Sequence, residues 1–292
     1  RGGSHPLWWG MRDVRLAAVQ LQVTDDVTAN LDRALSWVRE AMANGADIIA
    51  LPENYAGISA NGALPPCIAD PQRVEECPAV APFLAATSDF HGLLLLGGQP
   101  IDAGSGRHAN AMLALQRGAV VARYDKIHRF HATMPDGDLL TEIDTTAPGA
   151  PPVVVDWEGV RLGLGICYDL RFPEHYRCLA RADAHILLAP SAFTFPTGAA
   201  HWQLLLRARA VENQAFMLAP AQDGAHAPGR ESWGHSAIIG PWGDVMAQRA
   251  HGEGLVTAVA TAGELARVRT ALPALEHCVL GPETSADIIT LT

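Results

Sequence analysis

Gly165-Ile-Cys167-Tyr-Asp-Leu-Arg-Phe-Pro-Glu174 closes an apolar run and opens a helix, because Pro173 suits a helix's first turn. The run is the second arm of a hairpin, 152–156 with 160–166, turning at Glu158-Gly159. Cys167 is thereby delivered to the carboxyl end of a strand, at a strand-to-helix turn where its sulfur is open to attack. Beyond it, 185–189 is a short apolar run of the kind buried on both faces of a sheet, and 199–213 reads as a helix. Strands near 215–221, 236–239, 244–248 and 255–259 complete the sheet. Strands and helices alternating in this way predict an α/β fold.

The chain upstream has the same grammar. Val14–Gln20 reads as a strand, and Leu31, Leu35, Val38 and Met42 recur at helical spacing until Asn44-Gly45 stops them. The apolar run 47–51 then ends in Pro52-Glu53, which places Glu53 just past a strand's carboxyl end, where open α/β sheets receive ligands. A helix over 79–90, a strand over 93–99 and a hairpin of 109–115 with 119–125 follow, and Lys126 comes directly after that hairpin. The Pro-, Asp-, Gly- and Thr-rich stretch 130–152 reads as a long functional loop. The segment 45–52 also echoes 182–190, each following a helix, which hints at two similar halves about a pseudo-two-fold axis.

Bulk properties exclude several classes of function. The 292 residues, 49% hydrophobic and 18% charged, supply a substantial core, and a net charge of −10 argues against nucleic acid. No apolar run approaches the roughly 18 residues a membrane-spanning helix needs. Five cysteines without a C-x-x-C pair make neither a disulfide framework nor a zinc site and suit a reducing cytoplasm. Residues 1–10 precede a Met in poor context and read as a vector-derived leader, leaving 11–292 as one domain. Of the 21 basic residues all but Lys126 are arginine. Either one surface lysine has survived by chance, or this position needs a compact ammonium that a planar guanidinium cannot imitate.

Glu53, Lys126 and Cys167 thus stand at three strand ends, and together they suffice for acyl transfer. A cation and helix N-terminal amides favour a thiolate. The lysine can stabilise that thiolate and later an oxyanion, and a carboxylate can take the thiol proton and return it to a leaving amine. Each residue has a plainer reading: Cys167 as a small core residue, Glu53 as a helix-start carboxylate. Their combination with the sole lysine is what points to chemistry. His128 and His131, three apart, lack partners for a metal-ligand set, so neither metal nor cofactor is expected.

The segment from Gly165 to Glu174 resembles the nucleophile segment of the nitrilase-like carbon–nitrogen hydrolases. Leu51-Pro-Glu53 resembles their general-base segment, and Tyr124-Asp-Lys126-Ile-His128 their lysine segment, in the family's order. Pro190-Ser-Ala-Phe193, His201-Trp202, Leu206-Arg-Ala-Arg-Ala-Val-Glu212, Trp233-Gly-His-Ser236 and Pro241-Trp-Gly243 extend the match over roughly 14–268. The resemblance implies a four-layer α-β-β-α sandwich that dimerises through a helical layer. It implies a second glutamate, carried over to Glu142, orienting Lys126 or the substrate; the plainer reading is an exposed loop carboxylate. It also implies a thioester formed on Cys167, with the Tyr168 amide and Lys126 holding the oxyanion.

The strings most resemble the deaminated-glutathione amidase and ω-amidase branch, which implies a small linear amide cut to carboxylate and ammonia. Arg171 is a candidate for a substrate carboxylate, against a structural ion pair with Glu174 or Asp169. Tyr55, Phe193 and Thr197 are candidate pocket residues by family position, whereas Trp202 reads as core. Three rivals stay open: an N-carbamoyl amino acid hydrolase, a nitrilase, and a non-catalytic binding subunit. Departures at His131, Ile143 and Gly240, the segment 58–77 and the tail after Leu275 leave substrate and assembly open.

Overall fold

A computed structural model describes residues 11–59, 65–133, 137 and 139–281. The leader read at 1–10 lies outside them, as does the tail from 282. In chain order the first half comprises β1 (Val14–Gln20), α1 (Val27–Ala43), β2 (Ile48–Ala50), α2 (Ala81–Ala86), β3 (Leu93–Gly104), β4 (Arg107–Gln116) and β5 (Ala119–Asp125). A short hairpin, β6 (His131–Thr133) with β7 (Leu139–Thr141), leads to β8 (Val154–Trp157), β9 (Val160–Gly163), α3 (Pro173–Arg181), β10 (Ile186–Leu188), α4 (Phe195–Asn213) and β11 (Phe216–Ala219). A second hairpin, β12 (Asp223–Ala227) with β13 (Arg230–Trp233), precedes β14 (Ser236–Ile239), β15 (Val245–Arg249), β16 (Gly254–Ala260) and α5 (Ala262–Ala271).

Two six-stranded sheets result, ordered β16-β1-β2-β3-β4-β5 and β15-β14-β11-β10-β9-β8. Their strand directions correspond one for one. In the first, β1 is antiparallel to β16 and parallel to β2, β2 is parallel to β3, and β3, β4 and β5 meander antiparallel. In the second, β9 is antiparallel to β8 and parallel to β10, β10 is parallel to β11, and β11, β14 and β15 meander antiparallel. The echo between 45–52 and 182–190 is therefore a true repeat at the level of topology: β2 and β10 occupy equivalent places.

Side-chain parity decides which face meets what. Leu16 and Ala18 of β1, Ile48 and Ala50 of β2, and Leu93 and Leu95 of β3 point into one core with the second sheet. Their neighbours Ala17, Val19, Ile49, Leu94 and Leu96 point the other way, onto Leu31, Ala34, Val38 and Ala41 of α1 and Phe83 of α2. Leu179 of α3 and Trp202, Leu206 and Ala210 of α4 cover the outer face of the second sheet. The order helix, sheet, sheet, helix is the expected four-layer sandwich. The central strands read as unbroken apolar runs because both of their faces are covered.

The structure amends the expected elements in several places, among them α2, which spans Ala81–Ala86 rather than 79–90. The stretch 130–152 is not wholly loop, since β6 and β7 pair within it. Helix α4 starts at Phe195 rather than 199, because Pro196 fits the first turn. The β12–β13 hairpin and α5 lack a strong apolar period and were not expected. The hairpin is held by backbone bonds such as Trp233 N–H to Phe193 O (3.0 Å), and α5 by its Thr261 cap on the Glu264 N–H (3.2 Å).

The halves meet where β3 passes the ends of β2 and β10. A Cβ built on Gly97 would stand 2.3 Å from the Leu51 carbonyl oxygen and 2.5 Å from Pro190 Cβ, so nothing larger than glycine fits. Gly97→Ala is expected to destabilise the fold by about 1–3 kcal/mol. It should also depress activity, since both displaced segments carry site residues. Denaturant midpoints and turnover check this, and a variant unchanged in both would show that the strand ends yield freely.

Candidate active site

The carboxyl ends of the two sheets bring the three predicted residues together. Cys167 lies past β9 at the start of a short 3-10 turn, Cys167–Arg171, and its N–H donates to Pro190 O at 2.9 Å. Its φ is +47°, a left-handed backbone rare outside glycine and common at functional turns. The turn leaves the Tyr168 amide in its first residues, where helical donors have no partner of their own.

Glu53 sits just past β2 and is buried. Its Oε1 accepts from Lys126 Nζ (2.9 Å) and Asn110 Nδ2 (2.9 Å), and its Oε2 from the Ala192 N–H (3.1 Å). A bulge in β3 makes room: on Gly98, at φ +84°, a Cβ would stand 3.0 Å from Glu53 Cγ and 2.7 Å from Asn110 Oδ1. Lys126 follows β5 at once and is 1% exposed. Its ammonium reaches both oxygens of Glu142 at 2.9 Å, and Glu142 is pinned in turn by the Phe130 N–H (2.7 Å). Glu142 is therefore engaged by the sole lysine rather than left as a free loop carboxylate.

These charges set one another. Burial works to lower the Lys126 pKa, but Glu142 and then Glu53 more than offset it, so the amine stays charged far above neutral pH. Burial pushes the Cys167 thiol well up and the Glu53 carboxylate adds to that rise, while Lys126 opposes it. The resting sulfur is thus a thiol, and not the thiolate that a nearby cation alone would predict. The physical reason is first burial, and then that the cation which could offset it is already shared by two carboxylates.

Asp169 ties the lysine segment to the nucleophile turn. It is fully buried; its Oδ2 accepts from Tyr124 OH (2.7 Å) and the Ile166 N–H (2.8 Å), its Oδ1 from the N–H (3.0 Å) and Nδ1 (2.7 Å) of His128. Burial alone would raise its pKa, but these donors and His175 hold the carboxyl below the usual range. His128, Asp169 and His175 offer ligand atoms within 4.8 Å of one another. Asp169 is engaged by its hydrogen-bond donors, and His128 stacks on Phe172 with centroids 3.7 Å apart, so the group reads as a structural latch. His131 stands apart from it, exposed and against Thr141 Oγ1 (3.0 Å).

The pocket over Cys167 is lined by Tyr168, Arg171, Phe193 and Thr197, all of them candidates, together with Phe130 and Arg230. Arg171 makes no ion pair with Glu174 or Asp169 among the described residues. Its Nη1 lies 3.2 Å from His201 Nδ1 and its guanidinium 5.1 Å above the Phe193 ring. Tyr55 is a correction. Its side chain points away from the pocket into the core, with the hydroxyl 2.9 Å from Ala79 O and 2.7 Å from Gln99 Oε1, packed edge-on to Phe83. It braces the segment after Glu53 from behind.

A model of the carbon–nitrogen hydrolase family matches residues 15–270. The chain belongs to the carbon–nitrogen hydrolase family. A deaminated glutathione amidase of Synechocystis sp. is 37% identical over 92% of this chain and 99% of its own. The human omega-amidase NIT2 is 34% identical over 90% of this chain and 94% of its own. Among solved structures, the C. elegans NitFhit protein aligns at a TM-score of 0.83 and 31% identity over 92% of this chain and 66% of that longer one. Saccharomyces cerevisiae Nit3, a nitrilase-superfamily member, aligns at 0.76 and 26% over 93% of this chain and 97% of its own.

Three contributors to the site of this carbon–nitrogen hydrolase escape a reading of its sequence: Asn110, the Ala192 amide and Arg230. Asn110 is one polar residue in an apolar strand, a signal that a buried partner awaits it. The other two reach the site only through tertiary packing. The electrostatics predict that thiolate absorbance, taken as the difference from Cys167→Ala, appears only above the usual thiol range. Glu53→Gln should move it to lower pH and Lys126→Met to higher pH. A thiolate already present at neutral pH in the unaltered protein would contradict the burial argument.

Proposed function

We propose that this hydrolase cuts a small linear amide to carboxylate and ammonia through a thioester on Cys167. The observation that supports it is the Glu53–Lys126–Glu142 cluster lining one pocket together with the Cys167 thiol. Glu53 takes the thiol proton as sulfur attacks the amide carbon. The oxyanion that forms meets the Lys126 ammonium and the Tyr168 N–H, donors already in place before charge develops. Glu53 passes the proton to the amide nitrogen, the carbon–nitrogen bond breaks, and ammonia, or the amine of a substituted amide, leaves a thioester. Water then attacks that thioester with Glu53 as base, and collapse of the second tetrahedral intermediate releases the acid and restores the thiol. Glu142 holds the ammonium in position and exchanges no proton.

The substrate class follows the relatives: an amide of an α-keto acid or of its peptide-like conjugate. Arg171, free of any carboxylate among the described residues, is suited to a substrate carboxylate. No cofactor takes part in this scheme. The five free cysteines fit a cytoplasmic location, and no described helix is long and apolar enough to cross a membrane. A homodimer is supported by the outer helical layer. Leu204 and Val211, two turns apart on α4, are 68% and 48% exposed, and Trp242 beside that helix is 54% exposed.

Release of cysteinylglycine from deaminated glutathione, and of ammonia from α-ketoglutaramate, an N-carbamoyl amino acid, a simple aliphatic amide and a nitrile, tests the reaction. Cys167→Ala should remove at least about a thousandfold of the activity. Activity that survives the substitution, or release confined to the nitrile, would defeat the scheme. Leu204→Glu should shift the protein from dimer to monomer by light scattering, and a monomer without the substitution would end the dimer reading.

A further inference from the structure

Arg230 is the one guanidinium of the pocket wall that the scheme leaves idle. It opens β13 directly after Gly229, whose φ of +73° makes the turn. Along β13 side chains alternate: Glu231 is exposed, while Ser232, on the same side of the strand as Arg230, is buried. A bulge between Ala225 and Ala227 on the paired strand twists the hairpin at the level of Arg230.

The hairpin cannot swing freely. Trp233 N–H donates to Phe193 O (3.0 Å), Gly234 N–H to Gln222 O (2.9 Å), and His226 Nδ1 to Val23 O (2.8 Å). A Cβ on Gly198 of α4 would collide with Trp233 Cβ at 2.2 Å, so helix and hairpin are in close contact. Arg230 is thus presented to the pocket on a fixed support.

Among the described residues no acceptor takes a hydrogen bond from its guanidinium. Burial weakens its charged form, whereas Glu53, Glu142 and Cys167 act on it from across the pocket. The guanidinium is half-buried with no protein acceptor among the described residues, so a carboxylate entering the pocket would meet donors that only solvent now satisfies. Arg171, on the turn after Cys167, also lacks a carboxylate partner and lines another wall of the same pocket.

We propose that Arg230 binds a second substrate carboxylate, so that the preferred amide carries two carboxylates, one for Arg171 and one for Arg230. This deepens the amidase reading and rests on it for the position of the scissile bond. It separates the two substrate classes of the relatives. Deaminated glutathione carries a carboxylate at each end, whereas α-ketoglutaramate carries one. A guanidinium suits the task because its planar fork grips a carboxylate by two parallel bonds.

The test has a turnover arm and a binding arm. In turnover, Arg230→Gln should lower kcat/KM for deaminated glutathione about 10- to 100-fold, mainly through KM, and that for α-ketoglutaramate by less than about threefold. Arg230→Lys should recover part of the loss. If Arg230 only offsets the charge of Glu53 and Glu142, both substrates will suffer alike and the proposal fails. In binding, calorimetry compares deaminated glutathione on Cys167→Ala with the same ligand on Cys167→Ala combined with Arg230→Gln. Affinity about tenfold or more weaker in the double variant supports the proposal, and equal affinity overturns it. Arg230-dependent binding without Cys167-dependent turnover would sink the amidase reading while leaving the carboxylate site standing.

Discussion

The Lys126 ammonium, held at 2.9 Å from both Glu53 and Glu142, is the constraint around which the rest of the structure is arranged. An ammonium taken this far out of water is stable only with partners in good geometry, and two carboxylates supply them here. Its partners come from distant parts of the chain, Glu53 from the end of β2 and Glu142 from just past β7. The lysine thereby ties the first sheet to the linker between the halves. The backbone obeys the same demand: a bulge and Gly98 clear space for Glu53, and Asn110 and the Ala192 amide take its remaining lone pairs.

The charge count around this ammonium explains the state of the nucleophile. Two carboxylates and one ammonium leave the cluster at minus one, and ionising Cys167 would add a second negative charge in a dry site. The sulfur therefore keeps its proton in the resting site. In the proposed scheme Glu53 is both acceptor and donor of that proton. The positive Arg230 lies within the same field and brings the local balance back toward neutrality.

The two halves of the sandwich share one pattern of strand directions, and the site occupies the ends where they meet. Equivalent positions do different work. Past β2 stands Glu53, and past the equivalent β10 stands Pro190, whose carbonyl accepts from the Cys167 N–H. The hairpins β6–β7 and β12–β13 have no counterpart in the other half. They border the pocket, one beside Glu142 and one bearing Arg230. In this chain the repeated frame carries Glu53, Lys126 and Cys167, and the two hairpins add Leu140, Thr141 and Arg230 to the pocket lining.

Sequence by itself determined a good deal, because periodicity and residue chemistry are local. Unbroken apolar runs at β2 and β10 announce strands covered on both faces, and a sole lysine after a strand announces an ammonium that arginine cannot replace. Glu53, Lys126 and Cys167 were legible as strand-end residues, and Glu142 from its resemblance to a family pattern. Only the tertiary structure decided the rest. Tyr55 follows Glu53 by two residues yet faces the opposite way, since its hydroxyl finds Gln99 across the core. Arg230 sits in a stretch without apolar rhythm, and packing of its hairpin on α4 brings it to the pocket. The protonation of Cys167 depends on how deeply three distant groups are buried together. Such facts arise from distances between residues far apart in the chain, and no local pattern encodes them.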